Sequence, residues 1–272
     1  LKDLGELSEA ARFTQKAIQL KPNYAKAFSN LGIIRNDQGM RKEAEEAILK
    51  AIKFNPKDKK TYLNHGTILR DLGRLKEAEI STRKAIEIEP NYSEAKKNLG
   101  YILLDRGELQ ELIILSISIL KSESIDLGNR LEAYIQLTIA YYIKGDFLMI
   151  KTNLKKALEC INLGGLNHIK DKINHGNTLN YYHLIDKLYP HININNTHIN
   201  LKKIPHFGES HCLSFAHQNI NIFKKTRRVQ PVLIKGCKAW HLASKENNQW
   251  KSSLNEQIQN HTYSNEALVS FG

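Results

Sequence analysis

Residues 25–58 read AKAFSNLGIIRNDQGMRKEAEEAILKAIKFNPKD, and residues 59–92 read KKTYLNHGTILRDLGRLKEAEISTRKAIEIEPNY. Laid one over the other, the two stretches share a glycine at Gly32 and Gly66, and a second glycine at Gly39 and Gly73. They also share alanines at Ala44 and Ala78 and at Ala51 and Ala85, and a proline at Pro56 and Pro90. The period is 34 residues, and Pro22 on one side and Gly100 and Gly107 on the other extend it.

Each shared position has a physical task. Small residues at the first glycine and at the alanines let two helices approach closely, the second glycine permits a tight turn between them, and proline stops the second helix. One period is therefore a helical hairpin. A single hairpin cannot cover its own apolar face, so hairpins are expected to stack into a solenoid with a groove along one face.

Period, Gly, Ala and Pro positions together resemble the tetratricopeptide repeat (TPR). The resemblance implies a partial unit at Leu1–Tyr24, full units at Ala25–Asp58 and Lys59–Tyr92, and a fourth at Ser93–Asp126 with Leu112 and Ile119 at the alanine positions. A short insertion then precedes a degenerate fifth unit, about Leu131–Gly164, that keeps Tyr134, Leu137, Tyr141, Gly145 and Ala157. Because the first unit lacks its leading helix, the sequence reads as a piece of a longer chain.

In TPR proteins the residue two before the first glycine points into the groove, and here that residue is Asn30, Asn64, Asn98 and, in the degenerate unit, Gln136. A carboxamide both donates and accepts, so a row of them suits the backbone of an extended peptide. The row resembles the asparagine ladder of O-linked N-acetylglucosamine transferases; the alternative is a set of solvated amides. Lys26 and Lys60 occupy matching positions and add a cationic rim, although Glu94 breaks that series. The expected partner is a protein or peptide held in the groove. The Lys, Asn and Arg set of a dicarboxylate clamp is not reproduced.

Composition narrows the classes further. Forty Lys and Arg against 28 Asp and Glu give a net charge of +12, which raises the question of an anionic partner. The excess is not in the repeats: residues 1–126 carry +3 and residues 127–272 carry +9. Its one cluster, Lys224-Lys225-Thr226-Arg227-Arg228, is placed at a helix end, and no aromatic-interleaved basic motif accompanies it, so no nucleic-acid partner is expected. Three cysteines without ligand spacing suggest neither a disulfide framework nor zinc, and fit a reducing cytoplasm. The most apolar run, Leu112–Leu120, is far shorter than the roughly 20 residues of a membrane span. No cofactor is expected, and the oligomeric state is not legible.

Beyond Gly164-Gly165 the composition turns to Asn, Ile and His. Apolar spacing over Leu166–Leu188 predicts one or two capping helices, and Pro190–Asn200 a linker, so that the chain divides into repeats (1–164), cap and linker (165–200) and a last segment (201–272). Metal binding at His206, His211, Cys212 and His217 is disfavoured because the spacing is wrong and carboxylates are scarce. Lys203–Phe207 predicts a strand that leads through Gly208-Glu209-Ser210-His211 into a helix with Leu213, Phe215, Ala216 and Ile220. Further strands are predicted at Val229–Ile234, with Pro231 making it an edge or irregular strand, and at Ala267–Phe271, with a helix over Asn247–Gln259 between them. That order is the start of an α/β parallel sheet.

Gly-Glu-Ser-His after the first strand resembles the SGNH or GDSL hydrolases. The resemblance implies an esterase or acyltransferase, with acylated saccharide as one substrate class, Ser210 as nucleophile and the Gly236 N–H in the oxyanion hole. For Ser210 a helix N-cap is the alternative. The family's Asn block and Asp-x-x-His block do not occur before Gly272, so this chain is expected to be inactive by itself. A glycosyltransferase fusion is the third reading. The fold expected is mainly α, a helical-hairpin solenoid followed by the incomplete start of an α/β domain.

Overall fold

The turn at Gly39 shows how each period closes. Gly39, Gly73, Gly107 and Gly145 have φ of 78°, 76°, 76° and 79°, a region that costs a side chain about 1–2 kcal/mol and glycine nothing. At each, the N–H of the next residue reaches back five positions: Met40 to the Arg35 carbonyl (2.8 Å), Arg74 to Leu69 (2.8 Å), Glu108 to Leu103 (2.9 Å) and Asp146 to Tyr141 (3.0 Å). This is the six-to-one hydrogen bond of a Schellman C-cap, repeated four times.

The computed structural model describes residues 2–122, 125–169, 178–183, 185–186, 203–208, 219–222, 225–233, 252, 254, 256, 258–259 and 268–270. The helices in chain order are α1 (Lys2–Leu20), α2 (Ala25–Asp37), α3 (Arg41–Phe54), α4 (Lys59–Asp71), α5 (Leu75–Ile88), α6 (Ser93–Arg106), α7 (Leu109–Leu120), α8 (Leu127–Lys144) and α9 (Phe147–Asn162). Pro22, Pro56 and Pro90 each stand two residues past a helix end, where they cannot be recruited into it.

The chain divides into two compact units and passes from the first to the second within α6, after Ile102. In the first, α3 buries Ala44, Ala47, Ile48 and Ala51, and α5 buries Ala78, Ser81, Thr82 and Ala85, each an i, i+3, i+4, i+7 face. The close approach is real. A Cβ at Gly32 would lie 2.6 Å from Ile48 Cγ1, and one at Gly66 would lie 2.2 Å from Thr82 Oγ1. Neighbouring periods then share clusters: Ile68 packs with Ala44 and Ile48, and Ile102 with Leu69 and Ala78. Full burial of such a branched side chain contributes about 1.5–3 kcal/mol, so stacking supplies what one hairpin cannot. Arg74 adds an ion pair from its period to Glu45 of the one before, at 2.6 Å.

The second unit departs from the predicted register at α8. The residues read as an insertion form the first turn of this helix, and the Asp126 carboxylate caps it by accepting from the Asn129 N–H at 3.0 Å. Gly145 follows Gly107 by 38 residues, four more than the period, and four residues are about one helical turn. The extra turn leaves the α8–α9 hairpin otherwise intact. Twelve of the eighteen residues of α8 are buried, which makes it the central helix of its unit. Residues 178–183 and 185–186 are helical and bury Thr178, Tyr181, Tyr182 and Ile185, again an i, i+3, i+4, i+7 face.

Strands β1 (Lys203–Gly208), β2 (Asn219–Ile222), β3 (Lys225–Leu233) and β4 (Leu268–Ser270) form a sheet of order β2-β3-β1-β4. β1 runs parallel to β3, with Ile204 opposite Val229, and parallel to β4, with Phe207 opposite Val269. β2 is antiparallel to β3 and lies where the predicted helix would end. Asn219-Ile220-Asn221-Ile222 alternates with period two, which suits a strand better. Of the basic run predicted at a helix end, Lys225–Arg228 fall on β3, which begins at Lys225 rather than Val229. β2 pairs with β3 only over Lys225–Arg228, so among the described residues Pro231 is paired on the β1 side alone, opposite His206, where its missing N–H costs no second ladder. Ser210, Gly236, Glu209, His211 and the 190–200 linker lie outside the described residues.

Candidate functional site

Helices α2 and α4 lead their periods, and residues at equal positions in them come to one place. A cavity of about 470 Å³ is lined by Lys26, Ser29, Asn30 and Ile33 of α2, Lys60 and Asn64 of α4, and Asn55, Asp58 and Tyr92 from the connections. Four of the six groove residues predicted from the sequence therefore share one concavity: Lys26, Lys60, Asn30 and Asn64. Lys26 and Lys60 are 34 apart, as are Asn30 and Asn64, so the site repeats the same pair of groups along its length.

The amides are not equivalent. Asn30 is exposed, whereas Asn64 is half-buried and donates through Nδ2 to Ser29 Oγ at 3.1 Å. Asn98 donates to Thr82 Oγ1 at 3.2 Å and is not among the residues lining this cavity. Gln136 is 3% exposed, and its Oε1 accepts from Ser116 Oγ at 3.3 Å within the second unit. As part of the enclosed α8, it does not continue an open row of amides.

Electrostatics at the cavity lean positive. The Asp58 carboxylate is engaged at the start of α4, where it accepts from the Lys60 N–H at 3.1 Å and from Thr61 Oγ1 at 2.6 Å. Tyr92 is buried, and its phenol is pushed up to about 12 by loss of solvent, with Glu94, Asp58 and Glu89 adding to the shift, so it is a neutral hydroxyl at physiological pH. Lys59 sits over the Tyr92 ring, 4.7 Å from its centroid, and is paired with Glu89. The side chains whose charge is not spent on the framework are those of Lys26 and Lys60.

Ser29, Ile33, Asn55, Asp58 and Tyr92 were not anticipated from the sequence. A signal for two of them exists: Tyr24, Asp58, Tyr92 and Asp126 also recur every 34 residues, immediately before the leading helix of each period or, at Asp126, before α8. Among the described residues no group of three or more His, Cys, Asp or Glu is placed to hold a metal ion, and no helix is long and apolar enough to cross a membrane.

Comparison with known proteins bears on the helical part. No curated protein matches the chain. Among solved structures, MamA is 22% identical with a TM-score of 0.52, over 60% of this chain and 93% of that one. PilF of Pseudomonas aeruginosa is 19% identical with a TM-score of 0.51, over 68% and 86%. YrrB, described as a TPR protein with an unusual peptide-binding site, is 25% identical with a TM-score of 0.48, over 59% and 80%. The first two show the fold alone. None of these matches supports the resemblance of residues 202–272 to SGNH hydrolases. The tetratricopeptide repeat family model matches residues 25–58 and 60–92, the two stretches whose hairpins build the cavity, and the chain thus carries tetratricopeptide repeats within a mainly helical solenoid.

Proposed function

We propose that the α2–α4 face binds an extended peptide of a partner protein, with an acidic side chain or terminal carboxylate between Lys26 and Lys60. One observation carries this reading: the cavity brings together the same cation and the same amide from two successive periods. An extended strand advances about 3.3 Å per residue, and a repeated pair of groups suits a ligand that is itself repetitive in its backbone. Asn64 spends one of its two N–H donors on Ser29, which orients the amide and leaves Oδ1 and the second N–H for a peptide backbone. Asn30, exposed, offers both. The charge pair sets direction and register, and the amides tolerate any side chain.

Selection from a random displayed-peptide library tests the reading. The wild-type chain should enrich sequences with Asp or Glu, and the Lys26→Ala/Lys60→Ala chain should lose that preference. Enrichment of the same sequences by both chains would place the peptide elsewhere.

A second reading concerns residues 203–270. β1 is flanked on both sides by parallel strands, and Ser210 follows it by two residues, an arrangement in which a nucleophile would stand at the carboxyl end of a sheet. On this reading Ser210 is the nucleophile of an esterase or acyltransferase and Gly236 supplies an oxyanion N–H. Hydrolysis of p-nitrophenyl acetate by the full translation product of the gene, against Ser210→Ala, decides it; equal rates remove Ser210 from the chemistry.

A further inference from the structure

Lys26, Asn30 and Ile33 stand at i, i+4 and i+7 on α2, one stripe of the helix, and all three line the cavity between α2 and α4. Lys60 and Asn64 repeat the first two members of that stripe on α4, but the third differs. Thr67 holds the place of Ile33, donates to the Leu63 carbonyl at 3.2 Å and is not among the residues lining the cavity. The concavity thus has two ends of unlike chemistry. The paired lysines form one and Ile33 the other, with the amides of Asn30 and Asn64 between them.

Ile33 is the one aliphatic side chain among the described residues that line this cavity, and it is 39% exposed. Helix α2 turns Ala27, Phe28, Ser29 and Gly32 into the core, so the fold leaves Ile33 partly uncovered beside the polar groups. Covering that surface with an apolar side chain of a ligand is favourable. At the opposite end, the wall continues past the lysines through Asn55, Asp58 and Tyr92, from the connections before the leading helices. A peptide following this wall runs on beyond its acidic group, which therefore belongs to a side chain within the peptide and not to its terminus.

The length of the stripe sets the spacing on the ligand. Seven residues of α-helix span about 10 Å. Three residues of polyproline II advance about 9 Å and return to the same face, and their backbone, without internal hydrogen bonds, is open to the two amides. A β-strand also covers this distance in three residues, but its period of two puts the first and fourth side chains on opposite faces. Resting on the reading that the α2–α4 face binds a peptide, we propose that the peptide is selected by two side chains three residues apart. An internal Asp or Glu is held by Lys26 and Lys60, an aliphatic side chain covers Ile33, and a polyproline II backbone passes over Asn30 and Asn64 between them.

Display of random peptides against the full chain, with each enriched sequence aligned on its acidic residue, tests the spacing. Wild type should enrich Leu, Ile, Val or Met three residues from the acid, on the same side throughout. Ile33→Lys should keep that acid and exchange the aliphatic preference for a second Asp or Glu, while retaining the helical circular dichroism of the wild type. In a synthetic copy of an enriched peptide, alanine at the aliphatic position should raise Kd for the wild type by about fivefold or more. The same change should matter less to Ile33→Ala. An acid enriched without an aliphatic residue at fixed spacing, or an aliphatic preference unchanged in Ile33→Lys, would overturn selection by Ile33 and leave the peptide site standing. Absence of any enriched acid would remove the site, and this proposal with it.

Discussion

Asn64 Nδ2 lies 3.1 Å from Ser29 Oγ, and the bond ties α4 to α2 across one period of the repeat. Ser29 is buried, at 4% exposure, so the bond is shielded from water on one side. A partly buried neutral hydrogen bond contributes about 0.5–1.5 kcal/mol. Asn64→Ala and Ser29→Ala should each lower the free energy of urea unfolding by about 1 kcal/mol, and the double variant by less than the sum. Strict additivity would mean the two groups do not interact in solution.

Gly66 faces Thr82 at a distance no side chain tolerates. Gly66→Ala should destabilise the chain by about 1–3 kcal/mol, the usual range for overpacking, because the new Cβ would meet Thr82 Oγ1 at 2.2 Å. Adding Thr82→Ala removes that atom and should recover part of the loss, though Asn98 then lacks its acceptor. Thermal melts of the single and double variants measure it; a double variant no more stable than Gly66→Ala would show that the α4–α5 approach is not the cause.

His65 makes stability depend on pH in a defined direction. Burial lowers its folded-state pKa below the ordinary 6.5, with Arg74 lowering it further and Glu45 and Glu77 opposing. Below 6.5 the unfolded chain therefore binds more protons than the folded one, and stability falls as pH drops through the window between 6.5 and the depressed folded value. His65→Leu should flatten that segment of the curve. Identical slopes for the two proteins, by urea unfolding at a series of pH values, would mean that the ring is not desolvated.

The hairpins are legible in the sequence because their glycines are compelled twice over. Gly39, Gly73, Gly107 and Gly145 must adopt positive φ, and Gly32 and Gly66 must lack a Cβ. Such demands leave glycine at the turn of all four hairpins and at the close approach in Gly32, Gly66 and Gly100, where only the α8 hairpin departs, with Thr138. The start of α8 was not legible, since four extra residues add one turn to a helix and leave only a shift of spacing, from 34 to 38, as a trace. Gln136 sits at the right repeat position for a groove residue and is nevertheless enclosed. Repeat position fixes which side of a helix a residue occupies, and only tertiary packing decides whether that side stays open. Asp58 and Tyr92 are not legible from helical periodicity for the converse reason: they lie between helices and belong to no helical face, yet they line the same cavity as Asn30 and Asn64.

The most direct test of peptide binding on the α2–α4 face is fluorescence anisotropy with a labelled acidic peptide selected on the wild-type chain. Asn64→Ala and Lys26→Ala/Lys60→Ala should each raise Kd by about fivefold or more, as expected for losing one or two polar contacts, and the lysine variant should also flatten the dependence of Kd on salt. His65→Leu, outside the residues that line this cavity, serves as the control and should bind as wild type does. Unchanged Kd in both groove variants, or a loss confined to His65→Leu, would contradict the account.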